Sequence, residues 1–140
     1  MFVAIATLVV VLLAVATVCD LRSREIPDWI SIAIGAVAVA TSIIGWLGLT
    51  MPWVIAGGIA GLFVGYLLFC FARLGGGDAK LIAALGLLVG PIGLMIVLFG
   101  MAIVGGLLSL IALLRGQRDF AYVPAITAGF LGYVGFVSEV

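Results

Sequence analysis

The first 19 residues carry no charged side chain, and the next charged ones crowd together as Asp20, Arg22, Arg24, Glu25 and Asp28. This pattern predicts an apolar span followed by a polar loop. A second charge-free run, Trp29 to Ala72, holds 44 residues, about twice the roughly 20 that one helix needs to cross a hydrocarbon core of about 30 Å. It predicts two helices broken near Leu49, Thr50, Met51 and Pro52, because proline suits a first helical turn better than an interior. The run from Leu81 to Leu114, 34 residues interrupted by Gly90, Pro91 and Gly93, again predicts two helices. Phe120 to Ser138, 19 residues, predicts one more. The expected fold is therefore an all-α integral membrane protein, a six-transmembrane-helix bundle forming one membrane-embedded domain over residues 1–140.

Composition agrees with that pattern. With 66% hydrophobic residues, 9% charged residues and a mean hydropathy of +1.52, the chain lies outside the soluble globular class. Six basic residues balance six acidic ones, so there is no net basic field to hold nucleic acid, and the expected surroundings are a lipid bilayer. The basic residues fall in three places: Arg22 and Arg24, Arg73 and Lys80, and Arg115 and Arg118. Lys and Arg are retained in short cytoplasmic loops. Six spans put all three clusters on the cytoplasmic side only when the N- and C-termini both lie on the non-cytoplasmic side. Ala14-Val15-Ala16 mimics a signal-peptide cleavage site, but the segment lacks a basic start and has its arginines after the apolar stretch, so it is expected to be a retained span. Trp46 and Trp53 flank the proposed outer turn, and Trp29 and Tyr122 sit beside inner loops, as interfacial rings should. Gly57, Gly61 and Gly65 form a small-residue face in the third span, suited to intramolecular packing or to a homodimer.

The chain has no histidine, which removes Ser-His-Asp and Cys-His catalysis and HExxH zinc proteolysis. Its two cysteines, Cys19 and Cys70, make no CxxC pair and read as small apolar core residues. An acidic residue in or against a membrane span is costly and needs a reason. Two stand out: Asp20, which ends the first span, and Asp78, which opens the fourth after Gly75, Gly76 and Gly77. The topology places both at the cytoplasmic ends of their helices. Two carboxylates facing each other share one proton, leaving one as general base for water and the other as general acid. That arrangement hydrolyses peptides without a metal, a cofactor or a covalent intermediate. From Asp78 to the Gly90 break there are 13 residues, about 20 Å of helix, so Asp78 is expected below the membrane surface or in a thinned bilayer. The three glycines permit close approach of a substrate backbone or a neighbouring helix. They do not make a phosphate loop, because Gly77-Asp78-Ala79-Lys80 lacks the GK[ST] ending.

Gly75-Gly76-Gly77-Asp78-Ala79-Lys80 resembles the GxGDxK motif of type IV prepilin peptidases, GxGD aspartyl proteases of family A24. Asp20 to Asp28 (DLRSREIPD) resembles the same family's DxRxxxIPN motif, with Asp28 in place of Asn. Tyr122-Val123-Pro124-Ala125-Ile126 resembles its PYGPAI-like segment, with Val123 where glycine is usual. The resemblance implies that Asp20 and Asp78 are the catalytic pair of an aspartic endopeptidase. It also implies a substrate, a prepilin or pseudopilin whose leader is removed at the cytoplasmic face of the prokaryotic inner membrane. Bifunctional members carry a larger cytoplasmic loop, often with a cysteine tetrad, and also methylate the new N-terminus. The first loop here is about nine residues and has no cysteine, which favours the small Flp/Tad-pilus type without methyltransferase activity. Archaeal preflagellin peptidases share the GxGD chemistry.

Simpler roles stand beside these. Asp78 is placed to cap its helix, and Asp28 rivals Asp20 or caps the second span. Arg22, Arg24 and Lys80 serve as topology anchors, or Lys80 tunes the carboxylates while Glu25 and Asp28 attract a basic leader. Pro124, Ala125 and Ile126 either begin or kink the last span or shape the substrate cleft. Arg115 and Arg118 read as loop charge with Asp119 as local partner. Two other classes use the same residues: a small transporter or channel relaying ions through Asp20 and Asp78, and a noncatalytic subunit of a pilus or secretion assembly.

Overall fold

The structure is a computed structural model describing residues 1–117 and 121–140. These form five helices: α1 (Phe2–Ser23), α2 (Asp28–Ile44), α3 (Met51–Ala72), α4 (Gly76–Leu114) and α5 (Val123–Glu139). The expected pairing of Arg118 with Asp119 falls outside the described residues. Local chemistry sets the boundaries. α1 closes at Arg24 (φ 54°), whose N–H reaches the Asp20 carbonyl at 3.0 Å, and Pro27 then holds extended backbone until α2 begins. α2 closes at Gly45 (φ 73°). Pro52 and Pro124 lie in the first turns of α3 and α5, where an N–H has no helical partner to lose.

α1 and α3, 22 residues each, reach about 33 Å at 1.5 Å per residue, and with α4 they are long and apolar enough to cross a membrane. α2 and α5 have 17 residues each and reach about 25 Å. The exterior is apolar as well: Phe63, Phe71, Ile92, Met95 and Phe99 are all largely exposed. Such a surface is stable against lipid and not against water. This is a membrane protein.

Where the sequence predicts two helices between Leu81 and Leu114, the structure has one 39-residue element, α4, with a single non-helical residue, Gly90 (φ 71°, ψ 178°), just before Pro91. A straight helix of that length would put its ends about 58 Å apart. Instead Gly75 and Asp78 at its start and Ala112 and Leu113 at its end line one cavity, so the second half returns along the first. The described helices number five rather than the expected six because the reversal takes one glycine and no loop. The first half of α4 is the centre of the molecule. Leu81, Ile82 and Leu85 are fully buried in one core with Val9 and Leu13 of α1, Ile30 and Ile34 of α2, and Ile126 of α5.

α3 runs antiparallel to that central half at backbone contact. A Cβ on Gly57 would overlap the Gly86 carbonyl oxygen, one on Gly61 would lie 2.8 Å from Ala83 Cα, and one on Gly65 would lie 2.9 Å from the Ala79 oxygen. The Gly57, Gly61 and Gly65 face is thus covered inside the chain, and it is not available as the homodimer surface that the sequence also allowed. Gly100 and Gly129 bring the second half of α4 equally close to α5.

The two ends of the bundle differ. One gathers Phe2, Trp46, Leu49, Leu88 and Val137 around an apolar cavity of about 220 Å³. The other gathers Asp20, Arg24, Arg73, Asp78 and Gln117.

Gly57→Ala forces α3 away from α4 and should cost about 1–3 kcal/mol, read as a lower Tm in detergent. Gly132→Ala, with nothing within 4 Å of the new methyl group, should leave the Tm unchanged or raised. Gly90→Ala meets both a positive φ and Trp53 Cδ1 at 2.9 Å, and should lower Tm by at least as much as Gly57→Ala in the same measurement.

Candidate active site

Asp20 sits in the last turn of α1, on the face that carries Val9, Leu13 and Ala16 into the core, and is 7% exposed. Its Oδ2 accepts the N–H of Val123, the first residue of α5, at 3.3 Å. The carboxylate therefore satisfies one of the N–H groups that a helix start leaves without a partner, and it fixes α5 against α1. Asp78 stands in the first turn of α4, where its Oδ2 accepts the Gly75 N–H at 3.2 Å, a carboxylate at the third helical position reaching back to the residue before the helix. It is 5% exposed, and its Oδ1 is buried without a hydrogen-bond partner among the described residues. A buried carboxylate oxygen left unpaired is expensive and marks a place where a ligand or water belongs.

The two carboxylates are within electrostatic reach of each other and border the same two cavities. One, of about 450 Å³, is completed by Arg24, Arg73, Ser109, Gln117 and Tyr122. The other, of about 420 Å³, is completed by Arg24, Glu25, Ile26, Asp28 and the glycines Gly75, Gly76 and Gly77. The glycines have separate reasons for lacking a side chain. A Cβ on Gly77 would press on Ile26 at 3.0 Å, and one on Gly75 would come within 3.3 Å of Asp78 Oδ2, while Gly76 faces open space. Together they leave a bare backbone beside two acids.

The remaining expected residues divide. Lys80 does not join the carboxylates. Its Nζ lies 2.9 Å from Asp28 Oδ1, both side chains are more than half exposed, and the pair ties the start of α2 to the start of α4 at a worth of about 0–1 kcal/mol. The reason is register: two positions after Asp78, Lys80 points away from the face that Asp78 buries. Asp28, the rival carboxylate, borders the second cavity but is exposed and held by Lys80. Pro124 borders a third opening, of about 330 Å³, that also reaches Asp20. Ala125 and Ile126 are fully buried core residues and touch none of these cavities directly.

Ser109 and Gln117 had not been singled out from the sequence. They reach the site because α4 doubles back, and the only local signal for Ser109 is a hydroxyl in an otherwise apolar run. Tyr122 donates its hydroxyl to the Ala72 carbonyl at 3.4 Å, linking the start of α5 to the end of α3 across the cavity.

No curated protein and no solved structure matches the chain. A family does: residues 7–110 match the Type IV leader peptidase family, a range that contains Asp20, the three glycines and Asp78 and ends before Pro124. That range is well over half of the chain, and the protein, a membrane peptidase, belongs to the Type IV leader peptidase family.

Proposed function

We propose that the protein is an aspartic endopeptidase of the GxGD kind that removes the leader of Flp-type prepilins or pseudopilins, with Asp20 and Asp78 as its catalytic pair. One observation carries this reading: two buried carboxylates from separate helices, each held by a backbone N–H, border the same cavities, and Asp78 Oδ1 has no partner among the described residues. The unprotonated carboxylate takes a proton from water as its oxygen attacks the scissile carbonyl carbon. The protonated carboxyl gives its proton to the carbonyl oxygen, which yields a tetrahedral diol. That diol collapses as the carboxyl that took the proton from water gives it to the nitrogen, the other carboxylate takes a proton from a diol hydroxyl, the C–N bond breaks and the amine leaves, so the pair again holds one proton. Arg24 and Arg73 are the cavity's cations, and the Gly75–Gly77 backbone offers room for an extended substrate.

Residues 1–140 act as one membrane-embedded domain of six crossings, with α4 supplying two. Arg22, Arg24, Arg73, Lys80 and Arg115 belong to loops or helix ends on the Asp20 and Asp78 side, so the positive-inside tendency places that end in the cytoplasm and both termini opposite. Only Arg24 to Pro27 separate α1 from α2, too little for a cysteine-bearing methyltransferase insertion. Glu25 on the second cavity, and Asp28 when a basic leader displaces Lys80 from it, are the groups that attract such a leader.

Co-expression with a candidate prepilin, read by mobility shift and N-terminal sequencing, tests the reading. Asp20→Asn and Asp78→Asn should each lower cleavage at least about a thousandfold while the protein remains folded. Cleavage that survives either substitution overturns the mechanism, and a wild type that cleaves no prepilin turns attention to ion flux. Asp28→Asn should leave kcat unchanged and raise KM roughly threefold, as loss of an exposed charge does.

A further inference from the structure

α4 begins on the wall of the second carboxylate cavity. Gly75, with φ −65° and ψ 149°, precedes it in extended conformation, and Gly76, Gly77 and Asp78 are its first three residues. A helix has no internal acceptor for the N–H groups of its first turn. At the start of α5, whose capping residue Tyr122 borders the larger cavity, those groups are provided for: Val123 donates to Asp20 Oδ2 at 3.3 Å, Pro124 has no N–H, and Ala125 donates to the Tyr122 carbonyl at 3.0 Å. At the start of α4, Gly75 donates to Asp78 Oδ2 and Ala79 donates to the Gly75 carbonyl at 3.2 Å. Between them, the N–H groups of Gly76, Gly77 and Asp78 meet no acceptor among the described residues.

Such donors are ordinary at a helix start, and what distinguishes these is the acid that lies over them. Asp78 folds back toward the beginning of its own helix, so that a Cβ on Gly75 would lie 3.3 Å from its Oδ2. Its Oδ1 is buried without a partner among the described residues, and the residue, 5% exposed, stands on the same cavity wall as the three glycines. An oxygen that bonds to Asp78 Oδ1 from the cavity therefore also comes within reach of the α4 N-terminus. That end of a helix carries about half a positive charge, and its N–H groups favour an oxygen that becomes negative. Gly76 leaves the approach open, because a Cβ there would meet nothing within 4 Å.

We propose that the N–H groups of Gly76 and Gly77 bind the carbonyl oxygen of the bond to be cut and stabilise the negative charge that develops on it as water attacks. The proposal rests on the peptidase reading and adds a third catalytic element to the two carboxylates. It also divides their work. Asp20 ends α1, where a helix presents C=O groups, and the α5 start beside it is spent on Asp20 and Tyr122, so the donors come from the α4 side. The carbonyl oxygen then lies toward Asp78 and the attacking water toward Asp20. As the water oxygen bonds to the carbonyl carbon, its proton passes to Asp20 and the π pair of the C=O bond moves onto oxygen, which Asp78 protonates. Donors fixed in place before the reaction need not reorient when that charge appears, which is where such groups contribute most.

The test removes one N–H from the full chain. Proline is accepted at the first position of a helix, and the extended ψ of Gly75 is what the residue before proline requires, so Gly76→Pro fits the backbone as it stands. With a membrane-anchored prepilin in vesicles as substrate, Gly76→Pro should lower kcat at least about tenfold, keep KM within about twofold and leave the Tm in place. The pH profile of kcat should fall in height and keep both limbs, since the carboxyl pair is untouched. Gly76→Ala, which retains the N–H and adds a methyl group in open space, should lose less than about threefold. Exchange of the Gly76 N–H for an ester oxygen by cell-free synthesis removes the donor without a ring and should match Gly76→Pro. The same exchange at Met51, which opens α3, should change nothing. Full kcat in the ester variant, or in a folded Gly76→Pro protein, overturns the assignment and leaves the peptidase reading in place; if Gly76→Pro does not fold, the ester variant decides alone. An equal loss in Gly76→Ala, or a displaced limb in the pH profile, means that position 76 acts by shape on the carboxyls, and that also overturns it. So does a raised KM with kcat retained, because the N–H groups would then hold the substrate and not the developing charge. A wild type that cleaves no prepilin overturns the peptidase reading and this assignment with it.

Discussion

At Gly90 the fourth helix reverses within one residue, and the meeting of its two ends follows from that reversal. Had α4 run straight, Asp78 and Leu113 would lie about 50 Å apart, at 1.5 Å for each intervening residue. Folded back, they border one cavity with Asp20. The conformation needs a residue without a Cβ twice over. The backbone has φ 71°, and Trp53 packs against the place where a methyl group would be. Pro91 assists by withholding the N–H that would continue the first half of the helix.

Close packing of small residues then makes the centre of the bundle dense enough to hold the site. α3 lies on the first half of α4 at glycine contact, α5 lies on the second half in the same way, and hydrophobic cores in lipid have little else to draw them together. Dispersion between backbones brought this close replaces the water-driven association that a soluble bundle would use. The consequence for chemistry is rigidity where it is needed. Asp20 is fixed to the start of α5 and Asp78 to the turn before α4, each through one carboxylate oxygen, so neither acid is free to swing into solvent.

The same two acids illustrate how far local features carry. Asp78 reaching back to the N–H before its helix is an ordinary helix start, and Asp20 receiving a helix N–H is an ordinary cap between elements. What sets them apart is their burial at the same end of one bundle, with an oxygen of Asp78 left unsatisfied beside space for a substrate. Asp28 and Lys80, which neighbour Asp20 and Asp78 in sequence, find each other at the surface instead.

Much of the molecule is legible in its sequence. Charge-free runs point to the helices, Pro52 to the start of α3, the absence of histidine to the classes of chemistry excluded, and Asp20, Gly75–Gly77 and Asp78 to the candidate site. These are local or compositional properties: they depend on hydropathy over a span and on backbone preferences that each residue carries with it. The sequence did not reveal that the break at Gly90 is a reversal without a loop, that the glycine face of α3 is spent inside the chain, that Lys80 turns away from the acids, or that Ser109 and Gln117 stand beside them. Each of those depends on which faces of distant helices meet, and helices that are apolar all round carry little periodic signal to say so. Contacts between residues 30 or 50 apart were decided by tertiary packing alone.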